Sequence, residues 1–271
     1  MTKRVPSIFD NLWQCESHDK QYAQNFYDIE EGAANLFTLD AQFVTEQASP
    51  GLKVLDAMCG PGRHVIQLAR KGFDVTGNDY NAHMVSTVRQ SLENEGLTAR
   101  LTNYDVIEST EFPDGEFDYV FSMFHSLGTI PGGENRQYAV DEMARVLKPG
   151  GSIAIHGHNL LGNLYHEKFP QWTIPHLVQQ QEGYEIGDLV VNGYGNDAHT
   201  RSPSFIHLHM PWELAGYITN AGLKIIEFHF LDYTKIERTT IAYSPEDSGA
   251  LTAIGHQMYK SDGLIVVGKK I

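Results

Sequence analysis

From residue 52 to 156, short apolar runs alternate with segments whose apolar residues recur every three to four positions. Residues 53–55 (KVL) form a short apolar run that ends at Asp56. Val65, Leu68 and Ala69 follow at helical spacing, and Gly72 stands where a glycine closes a helix. Residues 73–76 predict a second strand. Asn81 then caps a helix carrying Met84, Val85, Val88 and Leu92 on one face. Residues 99–102, 117–124 and 152–156 predict three more strands. Between the last two, Ala139, Met143, Val146 and Leu147 make a helical stripe that stops at Pro149-Gly150-Gly151. Strands alternating with helices imply right-handed crossovers and a mostly parallel sheet.

The rhythm breaks over 159–210, which is rich in Gly, Asn, His and aromatic residues. Val190, Asn192 and Tyr194, and then residues 205–210, predict strands of a separate antiparallel piece. Pro211 suits the first turn of a helix reaching about Ala221. Residues 224–230 and 263–268 (GLIVVG) are further strands. Before the first core strand, residues 1–50 hold helix-like stretches with many aromatics, among them Phe9, Trp13, Tyr22, Phe26, Tyr27, Phe37 and Phe43.

Composition narrows the class. At 271 residues, 41% apolar and 20% charged, the chain can bury a core without disulfide or metal staples. Its formal charge of −14 disfavours a polyanionic partner such as tRNA or DNA. Two cysteines, Cys15 and Cys59, make no disulfide framework and fit a reducing compartment. No apolar run has the length of a signal peptide core or a membrane span, so a soluble cytoplasmic protein is expected.

The chemistry lies where strands end. The first strand runs into Asp56-Ala-Met-Cys-Gly60-Pro-Gly62-Arg63-His64, a glycine-containing turn that lets a ligand approach backbone N–H groups. The second ends in Gly77-Asn78-Asp79, where a carboxylate can accept both hydroxyls of a ribose. The third leads into Asn103-Tyr104-Asp105-Val106, where a carboxylate can accept from a purine's exocyclic amine. One such turn is weak, since tight connections use the same glycines. Three acidic residues at three successive strand ends are more specific, because open α/β sheets bind ligands there. A dinucleotide fingerprint also needs a third glycine, and Gly-Pro-Gly-Arg-His-Val lacks it, which disfavours NAD(P).

These segments together resemble the class I S-adenosylmethionine-dependent methyltransferases. The resemblance rests on VLDAMCGPGRH (54–64), VTGNDYN (75–81), NYDV (103–106), EFDYVFSMFHSLG (116–128) and ARVLKPGGSIAI (144–155). It implies S-adenosyl-L-methionine as cofactor, with Asp56, Gly60 and Gly62 around its methionine part and Asp79 on the ribose. Tyr80 would lie along the adenine, Asp105 and the Val106 amide would read the adenine edge, and Ser122 would meet the cofactor's amino group. Met58 departs from the family, where many members have the loop's first glycine. The segment before the first strand often covers the cleft in this family, which makes Tyr22 and Tyr27 candidate lid residues. Trp172 and Tyr194 are similar candidates in the insertion.

The acceptor side is expected at the ends of strands four and five, where His125, His156 and His158 stand as candidate catalytic residues. A general base is needed only if the acceptor carries a proton at neutral pH. The chain has 13 histidines, so some fall near any site by chance. His64 reads as a packing or capping residue. His207 and His209 share one face of a strand and either line a lid or face solvent. No Cys-x-x-Cys or His-Glu-x-x-His pattern is present, and no metal is expected.

The expected fold is α/β, a Rossmann-like open sheet of about seven strands with helices on both faces. Its parts are an N-terminal helical cover (1–50), a cofactor-binding α/β core (51–158), an antiparallel insertion serving as substrate lid (159–210) and a C-terminal completion of the core sheet (211–271). The expected function is methyl transfer to a nitrogen or oxygen of a small-molecule acceptor, with neither nucleic acid nor membrane as partner. Oligomeric state is left open. The alternatives are a cofactor-binding regulatory or scaffold protein without catalysis, and a protein methyltransferase.

Overall fold

The structure, a computed structural model, describes residues 29–108, 110–165, 184–194 and 202–271. Tyr22, Tyr27 and Trp172 lie outside the described residues. Five strands form the parallel part of the main sheet: β1 (Lys53–Asp56), β2 (Asp74–Asn78), β3 (Arg100–Thr102), β4 (Phe117–Ser122) and β5 (Leu147–His158). Their order is β3-β2-β1-β4-β5. Beyond β5 the sheet continues with β10 (Gly263–Lys269), β8 (Lys224–Asp232) and β9 (Glu237–Ala242), each antiparallel to its neighbour. Strands β6 (Asp188–Tyr194) and β7 (Ser202–His207) pair with each other in a separate antiparallel hairpin.

The main sheet thus has eight strands rather than about seven. The additional one, β9, is exposed or half-exposed along its whole length, so its sequence ERTTIA carries little apolar signal. The helix after it, Ser248–Met258, buries only Ile254 completely and escaped notice for the same reason.

Side chains alternate across a strand, and this splits the core into two apolar layers. Ile153 and Ile155 of β5 face the layer formed with α4 (Gly133–Val146), α6 (Pro211–Asn220) and α7 (Ser248–Met258). Ala154 faces the other layer, formed with α1 (Ile29–Gln47), α2 (Arg63–Arg70) and α3 (Ala82–Glu95). The short helix α5 (Leu160–Tyr165) follows β5 directly. Helix α1 contributes Leu39, Phe43 and Val44 to the second layer and so covers the face near β1, β4 and β5. No helix of the described residues is long and apolar enough to cross a membrane.

A buried ionic cluster fastens the hairpin to the core. Arg136 of α4 has no exposed surface. Its Nε donates to Tyr217 Oη at 3.0 Å and its Nη1 to the Ile130 carbonyl at 2.9 Å, while Nη2 pairs with Glu185 at the entry to β6. Glu213 of α6 accepts from Tyr217 Oη at 2.6 Å and from His207 Nε2 at 2.9 Å. His207 Nδ1 donates in turn to Asp188 at 2.7 Å. Burial works against a charged His207, but the bonds to Asp188 and Glu213 outweigh it and hold its pKa above the usual value.

A raised histidine pKa stabilises the fold fully below the unfolded-state pKa, and that contribution is lost as pH rises through the folded-state value. Unfolding free energy measured in urea should therefore fall between neutral and alkaline pH. His207→Gln should flatten that slope, and an unaltered slope would separate His207 from it.

Candidate functional site

The ends of β1, β2 and β3 are tied together by one buried amide. Asn78 donates from Nδ2 to the carbonyls of Ala57 (3.1 Å) and Tyr104 (3.0 Å). Its Oδ1 accepts from the Thr102 hydroxyl and from the Tyr104 N–H, both at 2.9 Å. Beside it, Asp79 accepts from the Gly60 N–H at 2.8 Å through one oxygen and from the Asn81 N–H at 2.9 Å through the other. Asn103 fixes the same turn from outside, donating to the carbonyls of Asp79 (2.7 Å) and Tyr80 (2.8 Å). The glycine loop, the second strand end and the third strand end are thus one hydrogen-bonded unit. Asn78 was missed in the sequence because a buried amide serving three loops has no local signature.

The two loop glycines do different work. Gly62 has φ 82, and a Cβ there would lie 2.6 Å from both Val88 methyl carbons. It permits α2 to pack against α3. Gly60 has φ 52, and a Cβ there would meet nothing within 4 Å. That backbone stands open to whatever occupies the cleft.

A small cleft opens between these strand ends. Met58, Tyr80, Asp105 and Val106 line it, together with Ala57, Tyr104, Thr129 and Ile130. Thr129 ends a 3₁₀ turn (Ser126–Thr129) that follows β4, and Ile130 caps it, just past the 116–128 motif. Asp56 and Ser122, at the ends of β1 and β4, sit deeper. Asp56 is 1% exposed, and its Oδ2 has no hydrogen-bond partner. Burial, and then the charge of Asp79, push its carboxyl well above the usual range. Ser122 is fully buried, and its Oγ is likewise unpartnered. Two orphaned buried polar atoms at neighbouring strand ends suit a polar ligand group.

Histidines gather past β4 and β5. Phe124 and His125 take successive left-handed conformations, φ 54 and 61. His125 Nδ1 accepts the His158 N–H at 2.8 Å, and the two rings stack at 4.2 Å. The His125 Nε2 is buried without a partner. His156 is fully buried, with Nδ1 3.0 Å from Asp40 Oδ2 and Nε2 2.9 Å from Tyr233 Oη. His158 is half-buried and places Nδ1 3.0 Å from the same Tyr233 oxygen. Neither Asp40, on α1, nor Tyr233, just past β8, was singled out in the sequence.

His207 and His209 do not face solvent. Both are buried, His207 in the ionic cluster and His209 with its ring 5.3 Å from that of His125. The ligand atoms of Glu185, Asp188 and His207 lie within 4.8 Å of one another, a spacing that suits a metal ion. Arg136 and Glu213 already engage Glu185 and His207, so these groups read as an ion-pair cluster. His64 packs edge-on against Phe121 at 5.8 Å, and burial lowers its pKa to about 4.

Residues 54–151 match the family model described as "Methyltransferase domain". Among similar curated proteins, the methyltransferase GfsG of Streptomyces halstedii is 36% identical over 110 residues, which cover 40% of this chain and 38% of that one. The putative methyltransferase YqeM of Bacillus subtilis is 35% identical over 107 residues, covering 40% and 42%. The matched segments thus span about two fifths of these relatives' own length. A S-adenosylmethionine-dependent methyltransferase structure from Methanosarcina mazei superposes with a TM-score of 0.64 at 19% identity, covering 84% of this chain and 97% of that one. That likeness is one of fold.

Two outcomes follow from the loop. An acid whose pKa is raised in the folded state loses native stability as pH climbs from the unfolded toward the folded value. Asp56→Asn should therefore stabilise the ligand-free protein at neutral pH, by about 1–3 kcal/mol, the scale of an unsatisfied buried polar group. A urea titration showing no gain would remove the uncompensated carboxyl. Gly62→Ala should destabilise by about 2–4 kcal/mol, combining a left-handed alanine with overpacking against Val88. Gly60→Ala should cost only about 1–2 kcal/mol, so equal melting shifts for the two variants would contradict the division of roles.

Proposed function

We propose, from the match of residues 54–151 to a methyltransferase domain, that this chain is a class I S-adenosylmethionine-dependent methyltransferase that methylates a nitrogen or oxygen of a small-molecule acceptor. The observation that carries the reading is the unpartnered buried Asp56 Oδ2, on the residue directly before Ala57 and Met58 of the cleft lining. Bound S-adenosylmethionine supplies a methyl group made electrophilic by its sulfonium.

The chain's own residues divide the remaining work. Asp56 offers a carboxylate to the cofactor's ammonium, and the cation restores the charge balance that burial disturbs. Ser122 adds a polar group at the same end. Asp79, which accepts from the Gly60 and Asn81 amides, offers its carboxylate to the ribose. Tyr80 lies along the adenine, while Asp105 and the Val106 amide read its edge. Met58 fills the loop where a smaller residue is usual. The β6–β7 hairpin walls an acceptor pocket at the ends of β4 and β5, near His125 and His158, with His156 buried behind them. The net charge of −14 favours a small or cationic acceptor over a nucleic acid.

Titration calorimetry tests the reading. S-adenosylmethionine and its demethylated product should bind, and NAD(P) should not. Binding of NAD with none of the sulfonium would overturn it. Asp79→Ala should weaken cofactor binding by about 1.5–3 kcal/mol, the range for hydrogen bonds to a charged group. An affinity within a factor of two of wild type would take Asp79 off the ribose.

A further inference from the structure

We infer that Asp56 holds a proton while the site is empty and releases it to solvent when the cofactor's ammonium arrives, so that cofactor uptake exchanges one bound cation for another. The inference rests on the methyl-transfer reading. It adds a pH dependence of cofactor loading and a requirement for the cofactor's amino group.

Two carboxyls lie buried at neighbouring strand ends, and the amide donors there are divided unequally. Asp79, after β2, accepts one amide on each oxygen, from Gly60 at 2.8 Å and from Asn81 at 2.9 Å. Asp56, at the end of β1, accepts from the Met58 amide, while its Oδ2 is buried without a partner. Two like charges in one buried site are costly, and a proton goes to the carboxyl with the weaker hydrogen bonding. An unpaired buried O–H also costs far less than an unpaired buried charge.

The surroundings work in the same direction. Burial is the largest influence on Asp56 and the charge of Asp79 the next, and both push its pKa up. Asp40 on α1 adds a weaker push of the same sign. The Met58 amide and the Arg63 guanidinium at the start of α2 pull the other way and are outweighed. Tyr119 on β4 and Cys59 in the loop also face this carboxyl. Burial above all raises the pKa of each, so both stay neutral and neither balances an ionised Asp56.

The position of Asp56 suits the exchange. The two residues after it, Ala57 and Met58, line the cleft. Ser122, on the strand beside β1, brings a second buried oxygen without a partner. An ammonium set between Asp56 and Ser122 donates to both oxygens, and a charged donor favours the carboxylate. The O–H bond of Asp56 then breaks, its electron pair stays on oxygen and the proton passes to solvent. Nothing is oxidised or reduced, and the ammonium keeps its hydrogens. A ligand without the amino group leaves the proton where it is. Because protons compete with the ammonium for Asp56, cofactor affinity falls as pH drops through the empty-site pKa, by up to about tenfold per pH unit, and is level above it.

Calorimetry of the full chain at pH 6.0, repeated in buffers with different heats of protonation, counts the protons released per ligand bound. At this pH the ligand's amino group is already an ammonium, and a carboxyl with an ordinary pKa, being more than about 95% ionised, would release next to nothing. S-adenosylmethionine and its demethylated product both carry the amino group, and each should release a large and equal fraction of one proton. 5′-Methylthioadenosine keeps the nucleoside and the sulfur but lacks the amino acid, and it should release none. Asp56→Asn should release none with any of the three. Binding of S-adenosylmethionine to wild type without release would overturn the proposal, as would an equal release with methylthioadenosine or a release unchanged in Asp56→Asn. The wild-type measurement decides even if the variant does not fold. Absence of binding by all three ligands would overturn the methyl-transfer reading and this proposal with it, whereas binding without release overturns this proposal alone.

Discussion

A carboxylate sealed from water has to find its donors within the protein, and Asp40 finds two on separate elements. One is His156 near the end of β5. The other is the Phe124 amide at 2.9 Å, the first of two left-handed residues that carry the chain out of β4. Such conformations cost a residue with a side chain about 1–3 kcal/mol each. The Asp40 contact holds the first in place, and the His158 amide holds the second by donating to His125 Nδ1. Phe37 of α1 stacks on Phe124 at 4.5 Å, and the Arg63 guanidinium lies 3.1 Å over the Phe37 ring. Helix α1 therefore shapes the exit of β4 as well as covering the sheet. Both the cleft wall at Thr129 and Ile130 and the histidine cluster descend from that exit.

The two halves of the site differ in how far they could be read from the chain. The half proposed to hold the cofactor is built from strand ends, and each strand end keeps its polar residues within a few positions of the apolar run that announces it. Asp56, Asp79 and Asp105 were visible for this reason. The histidine cluster is assembled across long separations, 116 residues from Asp40 to His156 and 77 from His156 to Tyr233. Asp40 lies in a helix whose conspicuous feature is its aromatics, and Tyr233 follows a strand with no motif. His156 and His158 were visible as a pair, but which nitrogen each exposes depends on partners that only the fold brings in. The ninth strand and the helix after it were missed because they bury too little to imprint a period on the sequence.

The hairpin shows how an element outside the main sheet is given a fixed seat. Hydrophobic contact is modest there, with Leu160, Leu189 and Leu208 forming a small cluster of their own. Orientation comes instead from Arg136, whose guanidinium reaches a carbonyl, a hydroxyl and two carboxylates from three directions. Apolar packing tolerates sliding, whereas a planar five-donor group accepts few arrangements. The hairpin is held at an angle set by hydrogen-bond geometry, which suits a wall that has to present His209 to the same cluster as His125.

The sheet's two outer strands end it in different ways. β3 is only three residues long and offers few amides to a newcomer. β9 is longer, but it carries Glu237, Arg238, Thr239 and Thr240 in succession, and Arg238 is engaged by Glu46 of the cover helix. A row of open backbone groups is a template on which a second chain can polymerise, and charge along that row makes stacking costly because each added strand must bury it. The strand that contributes least to the interior is in this sense a guard. It lets an extended sheet end at an edge where any added strand would have to bury charge.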